Sequence, residues 1–376
     1  MVELADVLRD VGPAYLAAYE GRILPSHQRA ITDLVACRTR DLGGSLYACD
    51  RCQHLEYSYH SCRNRHCPKC HRVATEHWLE KTEGRLLPCP YYLATFTLPE
   101  PLRALARANQ RTLYAVLMQQ AARSLQEVAE NRRWVGGQLG SLAVLHTWSR
   151  NLAYHPHVHL LVTAGGLSAD GESWVKPAHE RFLLPGYVLS QVFRRRLLDA
   201  LVAADLEIPS RDELRRSRWV VHLQHVGDGR HALRYLARYV HRIALCAHSI
   251  ERYEHGRVTY RYRCSRSGQI RRSSLDTMSF VARFLQHVLP RGFTKVRSYG
   301  LLSPAGRPRL ERARELLEAH ALAIAIDPPA RASGPPDEPA ASDPPAVPSA
   351  PRRCPVCGRG TLRFRADLPR LRAPPR

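Results

Sequence analysis

The chain has 376 residues, 44% of them hydrophobic, enough for roughly two or three domains with real cores. Its 56 Lys and Arg stand against 34 Asp and Glu, a net charge of +22 with histidine neutral, which points to a polyanionic partner. Nucleic acid is the first candidate; a basic ribosomal or membrane-surface protein has the same bulk charge. The apolar stretches are too short to span a bilayer, and Met1 to Asp10 carries three acids and no signal core, so a cytoplasmic protein without a membrane segment is expected. In a reducing compartment the clustered spacing of the eleven cysteines argues for metal rather than disulfides.

Leu4, Val7, Leu8 and Val11 recur at helical spacing, and a Cys-, His- and Arg-rich segment follows to about Pro88. Tyr91 to Leu98 reads as a strand stopped by Pro99, and Leu102 to Glu130 as one or two helices. Leu142 to Trp148 and His157 to Thr163 read as two strands, the second broken at Gly165-Gly166. Val188 to Ala204 is helical, Trp219 to Leu223 strand-like, and His231 to Ala247 helical after the turn at Gly227-Asp228-Gly229. Val258 to Cys264 alternates like a strand, and Asp276 to Leu289 is a helix with Asp276 as its N-cap. Pro, Ala and Ser dominate Asp327 to Pro351, which suits a solvated linker. These changes divide the chain into a Cys-, His- and Arg-rich module at 1–88, a mixed domain at 90–304 and a tail at 305–376.

Cys49-Asp50-Arg51-Cys52 and Cys67-Pro68-Lys69-Cys70 are two CxxC pairs. Each would form a tight turn that aims both thiolates at one ion, and two such turns make a closed tetrahedral zinc site. Cys37 and Cys62 remain, as a second zinc site with nearby histidines or as buried thiols. Arg63, Arg65 and Lys69 would put positive charge on the module's surface and suit phosphate contact, as they suit any solvated basic loop. Cys354 and Cys357 form half of one more site, whose other half must come from elsewhere in the fold or from a second chain.

His157-Val158-His159 lies in a strand, where side chains alternate faces. Both imidazoles therefore share one face with Leu161, while Val158, Leu160 and Val162 point into the core. Two such imidazoles can be ligands of a divalent ion; they also suit a hydrogen-bonded pair of core histidines. A third ligand must come from a neighbouring element, and His146, near the end of the preceding strand, is the natural choice. His155 shares the face, but Pro156 is expected to distort the backbone there. Imidazole holds Mn, Zn, Ni and Co better than Mg, although DNA phosphate oxygens can complete a Mg or Mn site.

Tyr235 and Tyr239, four residues apart, share one face of a helix about 5–6 Å apart at Cβ. Arg238 and Arg242 repeat the spacing one residue off. A phenol with a pKa of about 10 is a poor nucleophile at neutral pH. Guanidinium charge and a metal-polarised phosphate would both help it attack. The product, a phosphotyrosine ester, would keep the energy of the cut bond for rejoining, so no nucleotide is needed, and the sequence has no P-loop. Taken alone, the helix reads more readily as amphipathic, with the tyrosines as amphipathic core residues; it informs only together with the histidine strand and the basic surface.

These segments together resemble the rolling-circle insertion-sequence transposases of the HUH superfamily, in their two-tyrosine class, from about Cys37 to Leu302. The resemblance rests on Ser61-Cys62-Arg63-Asn64-Arg65-His66-Cys67-Pro68-Lys69-Cys70, Leu145-His146-Thr147-Trp148, His155-Pro156-His157-Val158-His159, Tyr235 to Arg242, and Phe284 to Phe293, in that order. It implies an α+β fold of the HUH-endonuclease type: a central antiparallel sheet with flanking helices, preceded by a small zinc-binding module that helps recognise DNA ends or hairpins. It implies single-stranded DNA at element ends as partner, structural Zn2+, catalytic Mg2+ or Mn2+, and attack by Tyr235 or Tyr239 to give a 5′-phosphotyrosine and a free 3′-OH.

Three other readings compete. A plasmid nickase shares the chemistry but not the zinc module. A non-catalytic zinc-dependent DNA-binding regulator accounts for charge and cysteines, and leaves the histidine strand and paired tyrosines to coincidence. A tyrosine recombinase would work without metal.

Overall fold

The computed structural model describes residues 2–179, 182–240, 245, 249–264, 267–325 and 352–371. In chain order the elements are α1 (Leu4–Ala18), α2 (Pro25–Ala36), β1 (Gly44–Cys49), β2 (Leu55–Tyr59), α3 (Arg72–Glu83), β3 (Tyr91–Thr97), α4 (Leu102–Ala108) and α5 (Gln110–Ala129). There follow β4 (Gly140–Trp148), β5 (Tyr154–Thr163), the short β6 (Gly166–Leu167) and β7 (Trp174–Val175), α6 (Gly186–Val202), α7 (Arg211–Arg216), β8 (Val221–His225) and α8 (Arg230–Val240). The chain continues through β9 (Ile250–Glu254), β10 (Arg257–Arg263), β11 (Ile270–Asp276), α9 (Thr277–Leu285), β12 (Val296–Gly300), α10 (Arg307–Ala325) and β13 (Leu362–Leu368).

The central sheet has five strands in the order β12-β4-β5-β3-β8, each antiparallel to its neighbours. The fold is thus α+β, with an antiparallel sheet between helices, as expected. Strand alternation sends each face of β5 to a different core. Val158, Leu160 and Val162 join Ala143, Leu145, Ala94 and Phe96 under α4, α5 and α6. Leu161 joins Leu142 and Val144 on the opposite face, covered by Ala232, Leu233 and Leu236 of α8 and by Leu310 and Ala313 of α10. The two aliphatic layers bury the sheet on both sides and fix its register, because a one-residue slip would turn every core side chain to the wrong face.

β5 begins at Tyr154 and runs through Pro156, so the proline does not break the strand. Its carbonyl accepts the Leu98 N–H at 3.0 Å, and proline needs no donor of its own there. Asp276 caps α9 as expected, accepting the Ser279 N–H at 2.8 Å. A second sheet, β11-β10-β9, packs through Val258 and Tyr260 against α9 and α1.

The third sheet departs from the expected division of the chain. β13, from the tail, pairs antiparallel with β1 across Gly44–Cys49, giving the order β13-β1-β2. The described end of the tail therefore belongs to the N-terminal module. Among the described residues, no helix is long and apolar enough to cross a membrane.

Candidate active site and zinc module

The antiparallel register of β4 and β5 sets His146 directly opposite His157, and Val144 opposite His159. Three imidazoles thus converge: ring centroids lie 5.2 Å apart for His146 and His157, 4.5 Å for His146 and His159, and 4.9 Å for His157 and His159. One nitrogen of each falls within 4.8 Å of the others, a spacing one ion can bridge. The expected third partner is therefore in place.

The other ring nitrogens have partners of their own. His157 Nδ1 donates to the His155 carbonyl at 2.7 Å, and His159 Nδ1 lies 2.9 Å from Thr95 Oγ1, its cross-strand neighbour on β3. Such outer contacts fix ring orientation and tautomer in histidine metal sites. Burial pushes the pKa of His157 down to about 3, with His159 adding to it, and burial takes His159 to about 4. Burial, then the neighbouring histidines, holds His146 well below the usual value. At neutral pH all three are neutral rings with lone pairs to give, so the donor set fits a divalent ion. The His155 ring lies 5.3 Å from that of His157, but its Nδ1 accepts an N–H from Arg103 at 3.1 Å and it is not part of the three-histidine group.

Tyr235 and Tyr239 both lie on α8, which Leu233 and Leu236 anchor over this face. The Tyr235 ring stands perpendicular to that of His159 at 6.4 Å, and the residue is 37% exposed, open to a substrate from solvent. The side chains of Arg238 and Tyr239, and all of Arg242, lie outside the described residues.

Sequence reasoning did not single out Thr95 or Lys295, and named Trp148 only as part of the motif Leu145 to Trp148. A register shift between His146 and Trp148 marks a bulge, and the indole stacks on His146 at 5.3 Å. Lys295 Nζ sits 4.9 Å over the Trp148 ring. Burial lowers its pKa to about 7, and the Arg65 charge adds to this. A β-bulge beside an active site is a usual device for re-aiming side chains; nothing in the one-dimensional pattern marks its place.

The cysteines divide differently from the expected set of Cys49, Cys52, Cys67 and Cys70. Cys67 and Cys70 share a cluster with Cys37 and Cys62, and Cys49 and Cys52 meet Cys354 and Cys357 instead. The physical reason is chain direction: β1 and β2 carry the first CxxC to the far end of the hairpin, while Cys62 and the second CxxC fold back beside Cys37 at the end of α2. In the Cys37 cluster sulfurs approach to 3.5 Å (Cys37 to Cys67 and to Cys70) and 3.7 Å (Cys62 to Cys70). Four thiolates on tetrahedral zinc would stand about 3.8 Å apart.

Of the proposed phosphate-contacting residues, Arg63 and Arg65 line a cleft of about 680 Å³ with Arg29 and Arg291. Arg65 also donates to the Phe293 carbonyl at 2.6 Å, joining the module to the loop between α9 and β12. Lys69 pairs with Glu3 instead, so much of its charge is spent within the protein.

Comparison with known proteins agrees with this architecture. A family model described as "Putative transposase" matches residues 140–309, and one described as "Transposase zinc-binding domain", of IS91 type, matches residues 7–98. The chain is 37% identical over 338 residues to the "Putative transposase y4qJ" of Sinorhizobium fredii, covering 84% of each. It is 31% identical over 302 residues to the transposase for insertion sequence element IS801 of Pseudomonas savastanoi pv. phaseolicola, covering 76% of this chain and 72% of that one. No solved structure matches. The chain belongs to the IS91-type family of rolling-circle insertion-sequence transposases, enzymes that act on DNA, and its N-terminal module is a zinc-binding domain.

Proposed function

We propose that this transposase nicks and rejoins single-stranded DNA at the ends of its element, with Tyr235 and Tyr239 as nucleophiles and His146, His157 and His159 holding a catalytic Mg2+ or Mn2+. The observation that carries this reading is the Tyr235 ring 6.4 Å from that of His159, one of three clustered neutral imidazoles. A divalent ion there would polarise the scissile phosphate and draw charge from its oxygens.

The protein's own residues do the rest. The Tyr235 phenol loses its proton as its oxygen bonds to phosphorus; the bond from phosphorus to the 3′ oxygen breaks, and that oxygen leaves as a 3′-OH. The 5′-phosphotyrosine then accepts attack by a 3′-OH in the reverse sense, so no energy-rich cofactor is consumed. Tyr239, one turn further along α8, would serve the second cleavage or the strand transfer. Arg63 with Arg29 and Arg291 would lead the backbone along the cleft, and Arg238 and Arg242 would screen phosphate beside the tyrosines. The thiol-rich module suits a reducing, cytoplasmic setting.

The test is a nicking assay on labelled single-stranded DNA carrying the element ends, with Mg2+, Mn2+ or chelator. Metal-dependent cleavage by wild type, and none by His157→Ala that still binds the DNA, is the expected result. Binding without cleavage in any metal would favour a non-catalytic DNA-binding regulator.

A further inference from the structure

The first CxxC has lost its expected partner and gained one from the other end of the chain. Cys49 Sγ lies 3.7 Å from Cys357 Sγ, and Cys52 Sγ 3.6 Å from Cys354 Sγ. All four sulfurs fall within 4.8 Å of one another. We propose that these four cysteines hold a second structural zinc ion, which closes the chain end to end and fixes the tail on the recognition module.

Three observations besides proximity support a metal. Each CxxC is wound so that backbone donors point at sulfur, which stabilises the thiolate form. The N–H groups of Arg51 and Cys52 lie 3.4 Å from Cys49 Sγ, and the Gly360 N–H lies 3.3 Å from Cys357 Sγ. Next, Gly360 approaches so closely that a β-carbon on it would fall 2.3 Å from Cys49 Sγ, so any larger residue would push into the cluster. Finally, the two turns are locked together by their own hydrogen bonds. Asp50 N–H donates to the Thr361 carbonyl at 3.1 Å, and Thr361 N–H to Asp50 Oδ1 at 2.8 Å. The result is two facing knuckles on one sheet, with the β1–β13 ladder continuing directly from them.

A disulfide reading fits less well. Neither close contact is at bonding distance, and the four sulfurs form one group rather than two pairs. Zinc explains all four at once: soft thiolates, tetrahedral closure and no position left open for catalysis. Both matched family regions, 7–98 and 140–309, stop short of Cys354 and Cys357. The site would also account for the position of β13. Cys49 and Cys357 are 308 residues apart in the chain, and a metal clip offsets the entropy of closing so long a loop. Held there, the tail puts exposed Arg359, Arg363 and Arg365 on the module, with Arg363 3.6 Å from Asp50.

The direct test is zinc content of the full chain by atomic spectroscopy. The proposal expects about two zinc ions per chain, falling to about one in Cys354→Ser/Cys357→Ser, while the Cys37 cluster keeps its own. Undiminished zinc in the double variant would overturn it. Because that variant could lose its fold altogether, a second version keeps every cysteine and carries a protease site within residues 330–345. After cutting, the tail fragment should stay with the body on gel filtration and leave when a chelator is added. A fragment that leaves with zinc present would overturn the clip. A dimer that falls apart on chelation would overturn the closure within one chain.

Discussion

His157 Nδ1 donates to the backbone carbonyl of His155, two residues back on the same strand, at 2.7 Å. A carbonyl only accepts, so the proton sits on Nδ1 and the lone pair on Nε2 is presented to the cluster with His146 and His159. The strand itself therefore sets the tautomer that a metal ligand needs.

His159 relies instead on Thr95 Oγ1, 2.9 Å from its Nδ1. Thr95→Val keeps the β-branched shape and removes the hydroxyl. The expected outcome is an apparent affinity for Mn2+ weakened roughly 10–100-fold, so that more metal is needed for the same cleavage, with an unchanged fold. Titrating cleavage with metal, alongside a melting curve, checks this. An unaltered metal response would mean that the contact does not orient the ligand.

Acid should destabilise the protein through a histidine outside the site. His287 is buried between Thr147 Oγ1 at 3.3 Å and the Leu152 carbonyl at 3.2 Å, and burial lowers its pKa to about 4. The unfolded chain, with the ordinary histidine value of about 6.5, binds this proton first as pH falls. Stability is thus whole above about 6.5 and declines toward pH 4, by up to roughly 3 kcal/mol from this residue. Melting temperatures between pH 7 and 4.5 should fall in wild type and fall less steeply in His287→Gln, whatever that variant's starting stability. Parallel slopes would contradict the assignment.

The turn that launches α8 is also testable. Gly229 has a φ of +79°, and a β-carbon on it would lie 2.8 Å from the Tyr91 ring, itself fully buried. Gly229→Ala should cost on the order of 1–3 kcal/mol, from strain at positive φ and displacement of the helix start. Thermal unfolding measures the cost. Because α8 carries Tyr235, cleavage should drop further than stability alone explains, and full activity in the folded variant would argue against a tight placement of the tyrosine.

Much of the candidate site was legible in the sequence. Period-two alternation put His157 and His159 on one face of β5, where they cluster with His146, and period-3.6 spacing expects Tyr235 and Tyr239 on one face of α8, of which the described residues include the Tyr235 side chain. His146 was legible because adjacent antiparallel strands bring their ends together. The cysteine partition was not, since spacing reveals a CxxC turn but says nothing about which turns meet across 300 residues of chain. The same limit hid Lys69, whose partner Glu3 is the residue that caps α1, far off in the chain. It also hid Lys295 and Trp148, whose meeting depends on the bulge after His146.

The central claim is that Tyr235 attacks the phosphate, and the most direct measurement is the identity of the residue that carries the DNA. Wild type would be incubated with single-stranded element ends in Mn2+, and the covalent adduct digested and mapped by mass spectrometry, with Tyr235→Phe, Tyr239→Phe and the double variant in parallel. The account predicts a nucleotide on the Tyr235 peptide, its loss from that peptide in Tyr235→Phe, and no adduct at all in the double variant. An adduct that survives both substitutions, or cleavage by the double variant at the wild-type rate, would contradict it.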